Sequence, residues 1–312
     1  MKAYLKKELK KHRTLYLFLI PAVIMALLFH YAPMLGLVMA FFDDINLKRY
    51  DVITAISKAD FVGIDHFIRI FSDPTILPII GNTLIISILK IVILFPLPII
   101  LAVLVAEVKS KGFSTFVQSM VFLPHFLSWV AITGIFQNLM NADDGAINQF
   151  LSIITFHEVK IDWFGDKDLF RGLVVTLSGW KEVGYSAIVY IAAILAIDNS
   201  LYEAARLDGA TKFQQMVKVT IPMIAPTIIT MLIIRLGYLM EAGFDQVYTM
   251  LTPSTRPTGD IIGTYVYRMS FQDGNSAYGL STAMGLFNGI IALILIVSSN
   301  AISKKVAQEG LW

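Results

Sequence analysis

Residues 201–222 read LYEAARLDGATKFQQMVKVTIP, a charged amphipathic stretch wedged between two long apolar runs. It follows closely on the apolar run that ends at Ile197. Asp198, Asn199 and Ser200 each carry a side-chain oxygen able to cap a helix start. Glu203 falls in the first turn with Ala204 and Ala205, where a carboxylate suits the helix dipole. Gly209 either ends the helix or admits a neighbour to its backbone. A helical pattern resumes over 212–219, and Pro222 kinks or opens the next helix. The stretch predicts a short helix, a bend and a lead-in to a membrane span. A surface helix held between two spans is a handle through which something outside the membrane can move both.

Composition agrees with the membrane. The chain has 312 residues, 56% of them hydrophobic and 15% charged, whereas soluble domains carry about 25% charged residues. The apolar residues fall into long blocks, so the excess is lipid-facing surface rather than one large core. The net charge of +2 matters less than its distribution. With no cysteine, a disulfide framework, a thiol nucleophile and a Cys-ligated metal are excluded.

Lys2, Lys6, Lys7, Lys10, Lys11 and Arg13 form a basic tail before the first apolar run, the usual cytoplasmic flank. So short a tail beside a span does not read as a nucleic-acid contact. The first span is 15–42, bent at Pro21 and Pro33. It exceeds a signal-peptide core of about 7–15 residues and predicts an uncleaved anchor. Further spans are expected at 79–105, with Pro96 and Pro98 inside, and at 116–139, with Pro124 and His125 partway. The remaining three are 169–197, long enough to tilt or to contain a break near Gly179 and Gly184, then 219–240 and 277–302. Stretches 43–78, 140–168 and 241–276 read as external loops, the second strongly acidic. Basic residues mark the alternate hydrophilic segments, which places both termini and 201–215 on the cytoplasmic side. The expected architecture is an all-α polytopic membrane protein of six transmembrane helices. Residues 1–14 form a basic tail and 15–303 the six-helix transmembrane domain, with a cytoplasmic segment at 198–222 between the fourth and fifth spans. Residues 304–312 form a second tail.

The stretch EAA (Glu203, Ala204, Ala205), then Gly209, then Val219-Thr220-Ile221-Pro222 resembles the EAA loop of ABC importer permeases, the binding-protein-dependent inner-membrane transport components. FLPHFLSW at 122–129, Trp180 with Gly184, and the closing GLW at 310–312 resemble the carbohydrate-uptake permeases, among them the oligosaccharide or polysaccharide subgroup. The resemblance covers nearly the whole chain. It implies the type I permease fold and a coupling helix docked on a cytoplasmic ATPase, with Glu203, Ala204, Ala205, Asp208, Gly209, Phe213 and Pro222 at that contact. It also implies a second, related permease subunit, two ATPase subunits, an extracytoplasmic solute-binding protein and a carbohydrate substrate in the cell membrane. This chain would bind no cofactor, and ATP and Mg would belong to the ATPase.

The residues themselves supply no enzyme site. There is no Walker A pattern, no H-E-x-x-H and no G-x-S-x-G, and the five histidines are scattered. Polar side chains at membrane depth are costly and usually face a wet interior. Trp180, Lys181, Glu182 and Tyr185 in the fourth span, Arg235 and Tyr238 in the fifth and Asn288 in the sixth are therefore candidates for a solute path. Aromatic faces there can stack on the apolar C–H face of a sugar ring. Each has a plainer reading: Lys181 and Glu182 as snorkelling interface residues, Arg235, Tyr238 and Glu241 as an interfacial anchor, Asn288 as interhelical glue. Lys181 and Glu182, as sequence neighbours, point different ways. His125 reads as a helix-break residue bonded to a carbonyl. An amino-acid or phosphate importer is the alternative solute class. An ATP-independent carrier would need a path of ionisable residues, for which there are few candidates.

Overall fold

The computed structural model describes residues 12–272 and 277–307. Lys2, Lys6, Lys7, Lys10, Lys11, Gly274 and the closing 310–312 lie outside them. The chain forms two units, Met1–Ile70 with Arg268–Phe287, and Phe71–Tyr267 with Asn288–Trp312.

In the first unit, helix Arg13–Ala26 passes through a π turn, Leu27–Tyr31, into a short helix, Ala32–Met34, and a 3-10 segment, Leu35–Phe41. Pro33 accounts for the π turn. It offers no N–H to the carbonyl four residues back and its ring crowds that carbonyl, so the preceding turn widens. No residue of Arg13–Ala26 is buried, and a helix apolar and exposed on all sides is suited to lipid. The stretch expected as a plain loop then forms structure. Phe42–Asp43 pairs antiparallel with Asp60–Phe61, the one departure from all-α among the described residues. His66 Nε2 lies 3.0 Å from the Phe42 carbonyl oxygen. Gly279 packs so closely on both that a Cβ has no space.

The second unit is built on helix Lys167–Leu195, which carries buried Phe170, Leu173, Val174 and Leu177 at one end and Ala187, Tyr190 and Ile194 at the other. The first group shares a core with Ile86, Val247, Met250 and Ile261, and the second with Ala102, Val103 and Ile224. Its main neighbour is the run Leu77–Ala106, made of Leu77–Leu94 and Pro96–Ala106.

Three expectations are corrected here. The 116–139 span is not one rod. Helices Lys111–Phe126 and Trp129–Leu139 meet at 101°, because Pro124 ends the first in a 3-10 turn and Ser128 caps the second through the Ala131 N–H. The 167–195 helix does not break at Gly179 or Gly184. Gly184 instead lets the helix approach the Val121 backbone, and a Cβ there would strike the Val121 carbonyl. Pro222 opens the short helix Ile221–Met223, one of the two roles expected of it, and the 60° bend of this run falls just after, between Met223 and Ala225. Pro222 is absorbed, as Pro33 is, by a π turn just before it, Met216–Thr220.

The stretch 241–276 is not a loop through most of its described length. Phe244–Met250, Arg256–Gly259 and Ile262–Tyr267 are helices. Val247 and Met250, three apart on one face, enter the core with Leu173 and Val174. Gln246 is fully buried. It donates to the Val174 carbonyl at 2.7 Å and accepts from Ser178 Oγ at 2.6 Å and Lys90 Nζ at 2.7 Å. Prolines and glycines that resembled loop punctuation instead bound short buried helices.

Candidate functional site

The segment expected to couple opens with helix Asn199–Leu207, capped by Asp198, whose carboxylate accepts from the Ser200 N–H at 2.9 Å. That bond holds the Asp198 carboxyl below its usual 3.8. The helix stops in a Schellman arrangement: the Ala210 N–H bonds the Ala205 carbonyl at 2.9 Å and the Gly209 N–H bonds the Arg206 carbonyl at 3.0 Å. Gly209 has φ +78° and open space where a Cβ would stand. A new cap follows, with Thr211 and Gln214 bonding each other's backbone N–H groups before helix Lys212–Gln215.

One side of this segment is braced, by two bonds within the segment and one to the end of the 77–106 run. Tyr202 Oη meets Thr220 Oγ1 at 2.9 Å, buried Gln215 donates to the Ala210 carbonyl at 2.9 Å, and Lys212 Nζ lies 2.7 Å from Glu107 Oε2. The other side is bare. Glu203, Ala204, Asp208, Gly209 and Pro222 are exposed, Ala205 is half-buried, and Leu207 and Phe213 stand 90% and 69% exposed. Apolar side chains this open on a polar helix suit a protein partner.

The candidate solute residues divide. Lys181 is 7% exposed, and its Nζ donates to the carbonyls of His125, at 2.7 Å, and Leu127, at 2.5 Å. It thus fills acceptors that the broken 111–139 run leaves open, and does not snorkel. Trp180 meets Phe136 edge to face, centroids 5.3 Å apart. Tyr185 stacks flat on His125 at 3.7 Å, and His125 Nδ1 has no hydrogen-bond partner among the described residues. His125 sits at the helix break, as read, but through stacking rather than a carbonyl bond. Glu182 and Arg235 come together at 3.8 Å. Tyr185, Arg235 and Tyr238 line a groove of about 300 Å³ with Leu94, Phe95 and Tyr190. A pocket of about 40 Å³ adds Lys90, Glu182 and Arg235. Asn288 lies elsewhere, its shielded Oδ1 without a hydrogen-bond partner among the described residues. Lys90 and Tyr190 were missed, although Lys90 is the lone charge in the 77–106 run and so carried a signal.

Residues 94–309 match the family described as "binding-protein-dependent transport system inner membrane component". The polygalacturonan/rhamnogalacturonan transport system permease protein YteP of Bacillus subtilis (strain 168) is 39% identical over 305 residues, 98% of this chain and 92% of the relative. Protein LplB of the same organism is 39% identical over 304 residues, 97% of this chain and 92% of the relative. In the crystal structure of a bacterial ABC transporter involved in the import of the acidic polysaccharide alginate, one chain superposes with TM-score 0.86 at 37% identity, over 97% of this chain and 99% of that one. In the complex with an alginate pentasaccharide-bound periplasmic protein the TM-score is 0.87, over 98% and 99%. Near-complete coverage in sequence and in space gives this chain the fold of an ABC importer permease. The chain therefore belongs to the binding-protein-dependent transport system inner membrane component family.

Proposed function

We propose that this chain is one of two permease subunits of an ATP-driven importer of an oligosaccharide, an acidic one by the solutes its relatives are named for. The observation that carries the reading is the full-length likeness to YteP together with the alginate importer chain. The groove beside Tyr185 and Tyr238 supports it, because flat aromatic faces and the Arg235 guanidinium are what a uronic-acid sugar can use.

The reading extends to topology. Three runs are long and apolar enough to cross a membrane, Arg13–Phe41, Leu77–Ala106 and Tyr278–Lys305, and three bent helix pairs pass the same test together. We take these as six spans, with Lys167–Leu195 alone as the fourth and the helix Asn199–Leu207 bent away from it outside the membrane. Residues 15–303 then form the permease domain, the tails 1–14 and 304–312 lie in the cytoplasm, and the 198–222 segment faces the cytoplasmic ATPase. Nucleotide binding would draw the coupling helices of the two permeases together, and hydrolysis would reset them. ATP and Mg belong to the ATPase, and an extracytoplasmic binding protein delivers the solute. The ties from Tyr202, Gln215 and Lys212 to Thr220, Ala210 and Glu107 supply the stiffness such a handle needs.

The test is purification of the tagged chain with its assembly, followed by uptake. An ATPase and a second permease should copurify. Glu203→Lys should abolish uptake of oligogalacturonate while the chain remains inserted. Normal uptake by Glu203→Lys, or purification without any ATPase, would overturn the reading.

A further inference from the structure

A second cavity, of about 490 Å³, lies on the Lys181 side of helix Lys167–Leu195. It is walled by Trp129, Phe244, Tyr248 and Tyr267, with Asp245 and Lys181 among its polar groups. Three of its rings support one another. Phe244 and Tyr248 stack at 5.5 Å, Tyr248 and Tyr267 meet edge to face at 4.9 Å, and Phe244 and Tyr267 lie 5.7 Å apart. Trp129 is held from another element, with Lys181 Nζ 5.4 Å from its ring. Three of the four rings ride on elements held in place. Trp129 opens the capped helix after the break, and Phe244 and Tyr248 ride on a helix pinned by buried Gln246.

Such a site has a definite chemistry. Apolar flat walls with few, placed polar groups suit a ligand that is apolar on its faces and polar on its rim. A lipid chain would have no use for Asp245 and Lys181, and a small ion none for the aromatic walls. A pyranose ring uses both: its C–H face stacks on an aromatic ring, and its equatorial hydroxyls donate to a carboxylate.

The position adds a direction. Helix Lys167–Leu195 meets this cavity at Lys181, the aromatic groove at Tyr185, Ser186, Val189 and Tyr190, and the coupling segment's pocket at Ile194 and Leu195. At about 1.5 Å per residue the cavity stands roughly 6–13 Å ahead of the groove along the helix. Under the orientation proposed above, that is the external side.

We infer that the cavity between Trp129 and the Phe244–Tyr248–Tyr267 cluster is an outer pyranose-binding station, which receives the carbohydrate before it reaches the groove at Tyr185 and Arg235. The inference rests on the carbohydrate-importer reading. It goes beyond that reading by placing a recognition site on aromatic side chains outside the solute-path candidates named above.

Tyr248 provides the test, in the complete importer with its binding protein, using uptake of oligogalacturonate and of alginate oligosaccharides. Tyr248→Leu keeps apolar volume but removes the flat face, and should lower uptake about tenfold, the loss typical of truncating an aromatic anchor. Tyr248→Phe should stay near the parent rate, and Trp129→Leu should repeat the loss. The amount of assembled complex and its basal ATPase rate should be unchanged in all three. Equal uptake by Tyr248→Leu and Tyr248→Phe overturns the station and leaves the importer reading standing. A parent importer that takes up neither carbohydrate overturns both.

Discussion

Lys181 places its charge beside two carbonyl oxygens, those of His125 and Leu127, that a continuous helix would have satisfied. Removing it should therefore act on the fold before it acts on the solute. Lys181→Met should cost about 1–3 kcal/mol, the penalty for stranding shielded acceptors. The thermal midpoint of the purified assembly should fall, and Lys181→Arg should fall less. An unchanged midpoint with a raised KM would make Lys181 a solute contact instead. Gly209 poses the opposite case. Its φ of +78° costs a side-chain residue about 1–2 kcal/mol, yet its surroundings are empty. Gly209→Ala should lower stability slightly and keep uptake, while Gly209→Trp should abolish uptake, because the added bulk meets only a partner. Equal uptake by both variants would remove Gly209 from the docking surface. Asp198 adds a pH signature. Its carboxyl titrates below its ordinary range because it accepts the Ser200 N–H. A depressed folded value contributes stability above the unfolded pKa, and that contribution is lost as pH falls through the folded one. Protection of the Ser200 amide against hydrogen exchange, relative to an unstructured amide at the same pH, should thus be constant near neutral pH and fall only when the pH is taken below the ordinary carboxylate range.

Between helices, glycines and prolines do work that a single sequence conveys unevenly. Gly184 looked like a weak point in the fourth span because glycine lowers helix propensity. In the fold it is a contact, since helix Lys111–Phe122 passes too close to admit a Cβ. Gly184→Val should then prevent stable assembly, seen as loss of monodisperse protein in detergent. Gly179→Ala, which meets only the tip of Leu94 at 3.0 Å, should be tolerated. If Gly184→Val behaves like Gly179→Ala, the contact is not structural. The long apolar runs and the EAA segment were legible because burial in lipid demands length and the coupling helix demands charge, caps and Gly209. The turn at 123–128 was half legible: Pro124 announced a disturbance, but its 101° angle depends on Ser128 capping the next helix and on Lys181 from another span. The buried helices 244–267 were illegible. Each is under eight residues, so periodicity has little to act on, and their burial is decided by Leu173, Val174 and Ser178 far along the chain. The outer cavity is built from those helices and was hidden for the same reason.

For the whole molecule the decisive quantity is orientation, because the coupling proposed above requires the 198–222 segment and the Lys-rich ends to share one side of the membrane. Charge argues for the cytoplasm: Lys109, Lys111, Lys212, Lys304 and Lys305 flank the runs on one side, while the acidic residues Asp143, Asp144 and Asp162 crowd the other. The chain contains no cysteine, so an introduced thiol reports on its own position without a background. Ile153, 71% exposed in helix Ala146–Thr155, and Leu207, 90% exposed on the coupling helix, are suitable places. In right-side-out vesicles a membrane-impermeant maleimide should label Ile153→Cys and spare Leu207→Cys. In inverted vesicles the pattern should exchange. Adding the ATPase partner to inverted vesicles should then protect Leu207→Cys and leave Ile153→Cys unaffected. Labelling of Leu207→Cys from the exterior would reverse the bundle, put the handle out of reach of any nucleotide-driven partner and end the coupling account. Correct sidedness without protection would keep the topology and move the ATPase contact away from Leu207.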